Sequence, residues 1–182
     1  MIIFLSIDYT NESSIIQAVK EYGSGVLDCV VNGGGVGPQP FEWDADTPER
    51  FREMFDIMAV GPYLATKHFL PNLKQSAGPG KVASISSDFG CITSNDRGGF
   101  LGYRMAKCAL NQQTKTIAQA FKGDGDVIFI NLEPGYIATR LTGWKGDTDM
   151  ETSVKGMVDV LEKVTREDSG LLISYTGDKV PF

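Results

Sequence analysis

Short apolar runs alternate along the chain with segments whose apolar residues recur at helical spacing. Runs of strand length lie at residues 1–7, 26–31, 81–86, 126–131 and 171–175. Helical spacing is found between these runs. Strands that alternate with helices are typical of α/β proteins, in which the strands form a largely parallel sheet. The pattern therefore predicts an α/β fold with about five strands.

Turn and capping residues set the predicted helix ends. Residues 8–13 supply a turn and a helix start, and Gly23 ends that helix. Thr47 is the predicted N-cap of the next helix, with proline at the first helical position. Its apolar row is predicted to resume after Gly61-Pro62 and to run until Pro71 and the breaker Gly78-Pro79-Gly80, with the helical stretch ending near residue 74. A last helix is predicted over residues 152–164.

The segment over residues 81–121 reads as strand, loop and helix. Its strand is a run of small and apolar residues that ends in Ser86 and Ser87. In α/β proteins, chemistry is usually found at such strand ends. Tyr103 and Lys107 follow four residues apart at the start of a helical segment, so they share one helix face.

The spacing of a tyrosine and a lysine by four residues is weak evidence on its own. The chain contains three such pairs, and chance alone accounts for some of them. Only Tyr103 and Lys107 follow a strand that ends in serine. The others are Tyr63 with Lys67, and Tyr175 with Lys179, which straddles a turn.

Two further segments place glycine or proline directly after a predicted strand. Asn32 is followed by Gly33 and two more glycines, which allow close approach of the backbone. A phosphate-binding loop needs its glycines to open a helix, whereas Pro38 and Pro40 follow here, so we exclude that interpretation. The second segment is Pro134-Gly135, at the end of the run over residues 126–131.

The order of these segments resembles that of the short-chain dehydrogenase/reductase family. The final SYTGDKVPF resembles the ending of the carbonyl-reductase-like branch. The resemblance covers nearly the whole chain, but it begins at the third strand of the family fold. It implies one incomplete domain over residues 1–182, with a Rossmann-like parallel sheet that lacks the first two strands, the first helices and the glycine-rich dinucleotide loop.

This missing front end has a consequence for residues 1–7. The strand order of the family is 3-2-1-4-5-6-7, so the loss of two strands separates the first remaining strand from its neighbours. We expect residues 1–7 either to close up against residues 26–31 or to remain detached, since an unpaired strand has open hydrogen bonds.

The resemblance implies a set of site residues. Ser87 is the candidate that orients the substrate oxygen, with Ser86 as the alternative. For Asp8, an adenine contact is weighed equally against a turn or helix cap, and for the Pro-Gly segment the alternative is a simple turn. The implied catalytic residues are Ser87, Tyr103 and Lys107; the implied cofactor-binding residues are Asp8, Asn32, Gly33, Tyr103, Lys107, Pro134, Gly135, Ile137 and Thr139.

Reduction of a carbonyl needs a proton donor whose pKa suits neutral pH. A free tyrosine has a pKa of about 10. An ammonium group about 4 Å away at an effective dielectric constant of about 20 contributes on the order of 4 kcal/mol, or about three pKa units. We therefore expect Lys107 to lower the pKa of Tyr103.

The sequence also departs from the family pattern. Met58 stands where the family has an asparagine that helps to hold a water behind the lysine, and Asn111, on another helix, is not assumed to replace it.

Two hypotheses about function follow from the sequence. The chain is an NADP- or NAD-dependent oxidoreductase for a carbonyl or secondary alcohol, or it is a catalytically silent relative that acts through its helical interface. Residues 142–147, which include Trp144, are a predicted lid over the substrate.

Composition narrows the choice of partners. The formal net charge is −6 and the basic residues are scattered, which argues against nucleic acid. The apolar start is too short for a membrane span, and one histidine with three cysteines gives no metal-ligand spacing. Free thiols favour a cytoplasmic location. The family resemblance implies a homodimer or homotetramer through helices 47–74 and 101–121.

Overall fold

The structure is a computed structural model that describes residues 2–37 and 41–182. Among these residues, no helix has both the length and the apolar character needed to cross a bilayer. The helices are α1 (Glu12–Tyr22), α2 (Pro48–Phe55), α3 (Gly61–Leu73), α4 (Leu101–Ala120) and α5 (Met150–Lys163), and the strands are β1 (Cys29–Asn32), β2 (Gly80–Ile85), β3 (Val127–Glu133), β4 (Leu172–Ser174) and β5 (Lys179–Val180).

The described strands form one sheet in the order β1-β2-β3-β4-β5. The first four are parallel, and β5 is antiparallel to β4. Apolar side chains cover both faces of the sheet. One cluster packs against α5 around Ile130 and Leu132, and the other packs against α3 and α4 around Phe129. The predicted Rossmann-like sheet with flanking helices is confirmed, with its carboxyl strand ends along one edge.

The prediction of a strand over residues 1–7 is wrong for residues 2–7, and Met1 lies outside the described residues. Residues 2–7 pair with no described strand, and the side chains of Ile2 and Phe4 are 82% and 91% exposed. This matches the detached alternative. Apolar alternation alone does not form a strand when no neighbour offers free backbone groups. The fifth strand is instead β5, a two-residue strand with no apolar run.

Tyr9 anchors the N-terminal segment to the centre of the sheet. Its hydroxyl donates to Asn32 Oδ1 at 3.1 Å. Its ring packs closely against Gly34 and Gly61, where a Cβ atom would collide with it. Asn32 in turn donates through Nδ2 to Thr66 Oγ1 and, in the neighbouring strand, to Ser84 Oγ, both at 3.3 Å.

Helices α2 and α3 form one continuous helical stretch joined by a π-helical turn at Asp56–Val60. Pro71 lies inside α3, which ends at Leu73, close to the predicted limit of this helical stretch at residue 74. One missing N–H is tolerated so close to the end of the helix. Asn72 stabilises the end, because its side chain donates to the carbonyl groups of Gly23 and Gly25 at 2.9 and 2.7 Å.

Candidate active site

Tyr103 and Lys107 lie one turn apart on α4, on the face that packs against the sheet. Their exposed fractions are 8% and 4%. The Lys107 Nζ atom donates to the Ile85 carbonyl at 2.7 Å and lies 5.6 Å from the centroid of the Tyr103 ring. The carboxyl end of β2 therefore holds the lysine directly below the tyrosine ring.

The two candidate serines at the end of β2 have different partners. The Ser87 hydroxyl lies beside Tyr103 and lowers the pKa of its phenol, while its hydrogen bonds run to Asp88 Oδ1, at 3.0 Å, and from the Phe89 N–H, at 3.1 Å. Ser86 is buried and donates to Asn111 Oδ1 at 2.7 Å. Alternation along a strand places neighbouring side chains on opposite faces. Ser87 is thus the serine that the structure brings to Tyr103.

The expected lowering of the Tyr103 pKa is wrong. Burial raises the pKa of Tyr103 to about 12, although the neighbouring Ser87 hydroxyl opposes this, and the negative charges of Asp88 and Glu133 raise it further. Burial also lowers the pKa of Lys107 to about 8. Removal of both groups from water is the dominant effect here, and it disfavours the charged form of each.

Glu133 and Asp88 are site residues that the sequence did not identify. Glu133 ends β3, is largely buried, and accepts the Gly135 N–H through Oε1 at 2.7 Å. Burial raises the pKa of the Glu133 carboxyl. A signal was available, because Asp88 directly follows Ser87 and Glu133 directly precedes Pro134, each at the carboxyl end of a parallel strand.

Met58 lies where the resemblance places the missing asparagine. It belongs to the π-helical turn, is fully buried, and packs with Met54, Tyr103 and Ala106. A thioether in this position fills space beside the tyrosine and does not donate a hydrogen bond. Met58 therefore supports the Tyr103 ring by packing alone.

Asn111 lies one turn beyond Lys107 and connects α4 to two strands. Its Oδ1 atom accepts from Ser86 Oγ and from Asn131 Nδ2, at 2.7 and 2.9 Å. Its Nδ2 atom is buried and has no hydrogen-bond partner in the part of the chain that the structure describes. Asn111 belongs to a buried network that fixes the register of α4, and it does not take the place of the asparagine lost at Met58.

The backbone conformation and the neighbours of the Pro134-Gly135 turn restrict which residues fit there. Gly135 has a φ of +79°, a left-handed conformation that favours glycine. A Cβ atom there would lie 2.7 Å from Thr148 Oγ1. The Pro134 carbonyl accepts from Ser153 Oγ at 2.6 Å, and Ile137 forms an isolated bridge with Thr148.

The loop that follows this turn reaches the glycine-rich segment after β1. A Cβ atom on Gly35 would lie 3.7 Å from the Leu141 side chain, and one on Gly37 would lie 3.1 Å from the Leu141 carbonyl. The loop is tightened by the Trp144 N–H, which donates to the Thr139 carbonyl at 2.7 Å. Trp144 itself is 72% exposed. The role of this loop as a lid stays a prediction. The predicted absence of a helix directly after the glycines rests on Pro38 and Pro40, which lie outside the described residues.

Asp8 lies in the exposed turn before α1 and contacts none of the catalytic candidates. Its Oδ1 atom accepts from the Thr10 backbone N–H and hydroxyl, at 2.9 and 2.7 Å. These hydrogen bonds lower the pKa of the Asp8 carboxyl. Its geometry is that of a turn former, and its connection to the site runs through Tyr9, which contacts Asn32.

The other two tyrosine–lysine pairs are engaged elsewhere. Lys67 forms an ion pair with Glu12 at 3.1 Å. Lys179 forms an ion pair with Asp168 at 3.0 Å. Both lysine side chains are at least half exposed. Of the three pairs, only Tyr103 and Lys107 are both buried at the end of a central strand.

Comparison with known proteins agrees with this geometry. The family model described as short chain dehydrogenase matches residues 1–167. The chain is 33% identical to the C-signal of Myxococcus xanthus over 160 residues, 87% of this chain and 95% of that protein. It is 34% identical to L-fucose dehydrogenase of Bos taurus over 143 residues, 76% of this chain but only half of that enzyme.

Comparison with solved structures agrees with this family match. An NADPH-bound carbonyl reductase from chicken fatty liver superposes with a TM-score of 0.91 at 25% identity, and the match covers 99% of this chain and 77% of that one. The carbonyl reductase Sniffer of Drosophila melanogaster has the same fold, with a TM-score of 0.90 at 24% identity over 98% of this chain and 77% of that one. The chain belongs to the short-chain dehydrogenase family, and its fold is that of the carbonyl reductases.

The buried Lys107 generates a prediction about stability. The pKa of Lys107 is about 8 in the folded protein, against 10.5 for an ordinary lysine. A lowered lysine pKa destabilises the fold at pH values below 8, and the cost is relieved as the pH rises towards 10.5. At about 1.4 kcal/mol per pKa unit, the cost is about 3 kcal/mol at pH 7 and under about 1 kcal/mol at pH 10.

Lys107→Met is therefore expected to increase the free energy of unfolding at pH 7, by about 2 kcal/mol after the loss of one hydrogen bond to Ile85. The gain should disappear at pH 10. Urea unfolding at the two pH values measures it. Lys67→Met, at an exposed lysine of matching spacing, is the control and should give a small change that is similar at both pH values. A Lys107→Met protein that is less stable than wild type at pH 7 would contradict the prediction.

Proposed function

We propose that the chain is an oxidoreductase that uses NADP or NAD to reduce a carbonyl, or to oxidise a secondary alcohol, through Ser87, Tyr103 and Lys107. The observation that carries this proposal is the placement of the buried Tyr103 and Lys107 at the carboxyl end of β2, next to Ser87, with Lys107 Nζ 5.6 Å from the centroid of the Tyr103 ring. A phenol, a hydroxyl and an ammonium group in this arrangement form a proton-transfer site.

In the proposed reaction, Ser87 donates a hydrogen bond to the carbonyl oxygen of the substrate and orients it. Tyr103 transfers its proton to that oxygen. The reduced nicotinamide, when bound, supplies the hydride that the carbonyl carbon accepts. The raised pKa of Tyr103 and a Lys107 pKa of about 8 keep both groups protonated at pH 7, which is the state that reduction requires.

The residues that would hold the nicotinamide half of the cofactor lie along the carboxyl edge of the sheet. A Cβ atom on Gly33 would meet nothing closer than 4.0 Å, so this segment leaves open space beside Ile85. The NADPH-bound chicken carbonyl reductase supports NADP as the preferred form. The proposed contacts to the nicotinamide half and the adjoining ribose are Asn32, Gly33, Tyr103, Lys107, Pro134, Gly135, Ile137 and Thr139, and Asp8 is the proposed contact to the adenine at the far end of the cofactor.

The pyrophosphate half of the cofactor lacks a comparable cradle. The glycines at residues 33–35 do not open a helix, since the next described helix, α2, begins at Pro48. Gly98 and Gly99 do precede α4, but the carboxylate of Asp46 already accepts a hydrogen bond from the first turn of that helix. The residues present therefore fit the nicotinamide end better than the phosphates. A cytoplasmic location stays a prediction from cysteine usage.

A second candidate function is that of a catalytically silent protein that acts through its helical interface. The observation that favours it is the match to the C-signal of Myxococcus xanthus, of which the chain covers 95%. That relative is named as a signal. The packing of Met58 in place of a hydrogen-bonding residue points the same way.

Removal of the proton donor tests the first candidate. Tyr103→Phe is expected to lower carbonyl reduction by about 10²–10⁴-fold, because the phenol is the only proposed acid. The assay follows oxidation of NADPH at saturating concentration with a panel of small ketones and aldehydes. Tyr63→Phe, at a half-exposed tyrosine of matching spacing on α3, is the control and should retain wild-type turnover. Unchanged turnover in Tyr103→Phe would rule out the mechanism.

Cofactor affinity separates the two candidates. We expect NADPH to bind far more weakly to this chain than to the chicken carbonyl reductase, because the described residues offer no cradle for the cofactor phosphates. Fluorescence titration with NADPH, alongside the chicken carbonyl reductase as reference, measures the difference. A micromolar dissociation constant for this chain would contradict the expectation. No detectable binding at millimolar NADPH, with no turnover, would favour the silent candidate.

We also propose a homodimer or homotetramer through α2, α3 and α4. An open groove at this surface is lined by the apolar Phe51, Phe55 and Met105 and flanked by the charged Arg52 and Asp56, and Met105 is 44% exposed. Apolar side chains on adjoining helices are typical of subunit interfaces.

Met105→Glu is expected to weaken self-association at least tenfold, because burial of an unpaired carboxylate costs more than the roughly 1.4 kcal/mol that this factor represents. Sedimentation velocity over a concentration series measures the change. Ile16→Glu places the same charge at a similarly exposed residue of α1, 46% exposed, and should leave association unchanged. A wild-type protein that sediments as a monomer would refute this interface.

A further inference from the structure

The first turn of α4, which carries Tyr103, lacks a local cap. Its N-cap residue is Phe100, in a left-handed conformation with φ 53° and ψ 46°, and it makes no side-chain capping hydrogen bond. The first backbone N–H groups of a helix have no partner within the helix. A phenylalanine side chain has no acceptor for them, so the cap must come from elsewhere in the chain.

Asp46, which precedes α2, supplies that cap. Its Oδ2 atom accepts the Gly102 N–H at 3.2 Å, across 56 residues of sequence. The Asp46 side chain is only 1% exposed. A carboxylate at a helix N-terminus is favoured by the helix dipole and by the charge-assisted hydrogen bond.

The contact leaves little freedom for either partner. A Cβ atom on Gly102 would lie 2.9 Å from Asp46 Oδ2 and 2.9 Å from Met54 Sδ, so a side chain at this point of α4 would displace the carboxylate or the methionine. The second oxygen of Asp46 lies 3.4 Å from Arg50 Nε, one turn into α2. That oxygen makes no hydrogen bond to any described residue. The ion pair and the cap thus hold the carboxylate between the starts of two helices.

We propose that Asp46 is a positioning residue for Tyr103, which it holds in place by capping α4 from the start of α2. The residue it contacts, Gly102, directly precedes Tyr103 in the chain. Loss of the cap would allow the first turn of α4 to fray and the Tyr103 ring to leave its place against Ser87. Lys107 lies one turn deeper in the helix and would keep its contact with Ile85. The catalytic consequence rests on the proposed function, whereas the structural consequence does not.

Hydrogen exchange tests the structural arm without reference to activity. In the wild-type protein, the Gly102 amide is expected to exchange at least fivefold more slowly than the Leu101 amide, which lies in the same turn but has no such acceptor. Asp46→Ala should remove this protection, and Asp46→Asn, which keeps an acceptor oxygen, should retain most of it. Asp44→Ala, at an exposed aspartate of the same segment, is the control. Equal exchange of Gly102 and Leu101 in the wild-type protein would overturn the proposal even if Asp46→Ala does not fold.

Kinetics test the catalytic arm. Asp46→Ala is expected to lower kcat for carbonyl reduction at least tenfold with little change in KM for NADPH, and Asp46→Asn should restore most of kcat. The ¹³Cζ resonance of Tyr103 should shift in Asp46→Ala and not in Asp44→Ala. A loss of Gly102 protection with unchanged kcat and an unchanged Tyr103 resonance would show that Asp46 is only a structural cap. If wild-type protein shows no turnover, the proposed function fails, and the exchange and resonance measurements still decide the role of Asp46.

Discussion

The burial of the Lys107 ammonium group against the Ile85 carbonyl is the interaction on which the candidate site depends. Its cost of about 3 kcal/mol at neutral pH is large against a typical domain stability of about 5–15 kcal/mol. Packing that holds α4 in one register on the sheet must offset this cost. A buried network provides that register: Asn111 Oδ1 accepts from Ser86 and Asn131, and Thr114 donates to Asn131 Oδ1 at 2.8 Å. It ties α4 to β2 and β3 one turn beyond the lysine.

The parts of the fold that could be predicted are those that a local pattern encodes. Strands β1 to β4 and the five helices follow from apolar periodicity, and Thr47 and Gly23 are caps as expected. The errors come from partners that are distant in sequence. Residues 2–7 have the apolar pattern of a strand but no neighbour to pair with, and β5 has a neighbour but no apolar pattern. A β-strand forms only when a neighbouring strand pairs with it, so the sequence of one segment alone does not specify it.

The contrast between local patterns and distant partners also explains which features of the candidate site could be predicted. The shared face of Tyr103 and Lys107 follows from helix geometry, and the position of Ser87 follows from the end of β2. The direction of the tyrosine pKa does not follow from spacing, because it depends on how completely Phe89, Phe100 and Met58 exclude water from the ring. It depends also on the charges of Asp88 and Glu133, which come from two different strand ends. Tertiary packing determines how far Tyr103 is removed from water. This desolvation raises the tyrosine pKa by more than the attraction of a nearby lysine lowers it.

The energetics of the site bear on the choice between the two candidate functions. A buried lysine that lowers stability has no structural advantage over a methionine of similar length, since replacement of a buried charge by an apolar group is commonly neutral or stabilising. Perturbed groups of this kind are concentrated at functional sites. The pKa values of Tyr103, about 12, and of Lys107, about 8, keep both groups protonated at pH 7, which is the state that reduction requires. The cost of Lys107 therefore favours the oxidoreductase over the silent protein, even though the residues that would bind the cofactor phosphates are not found among those described.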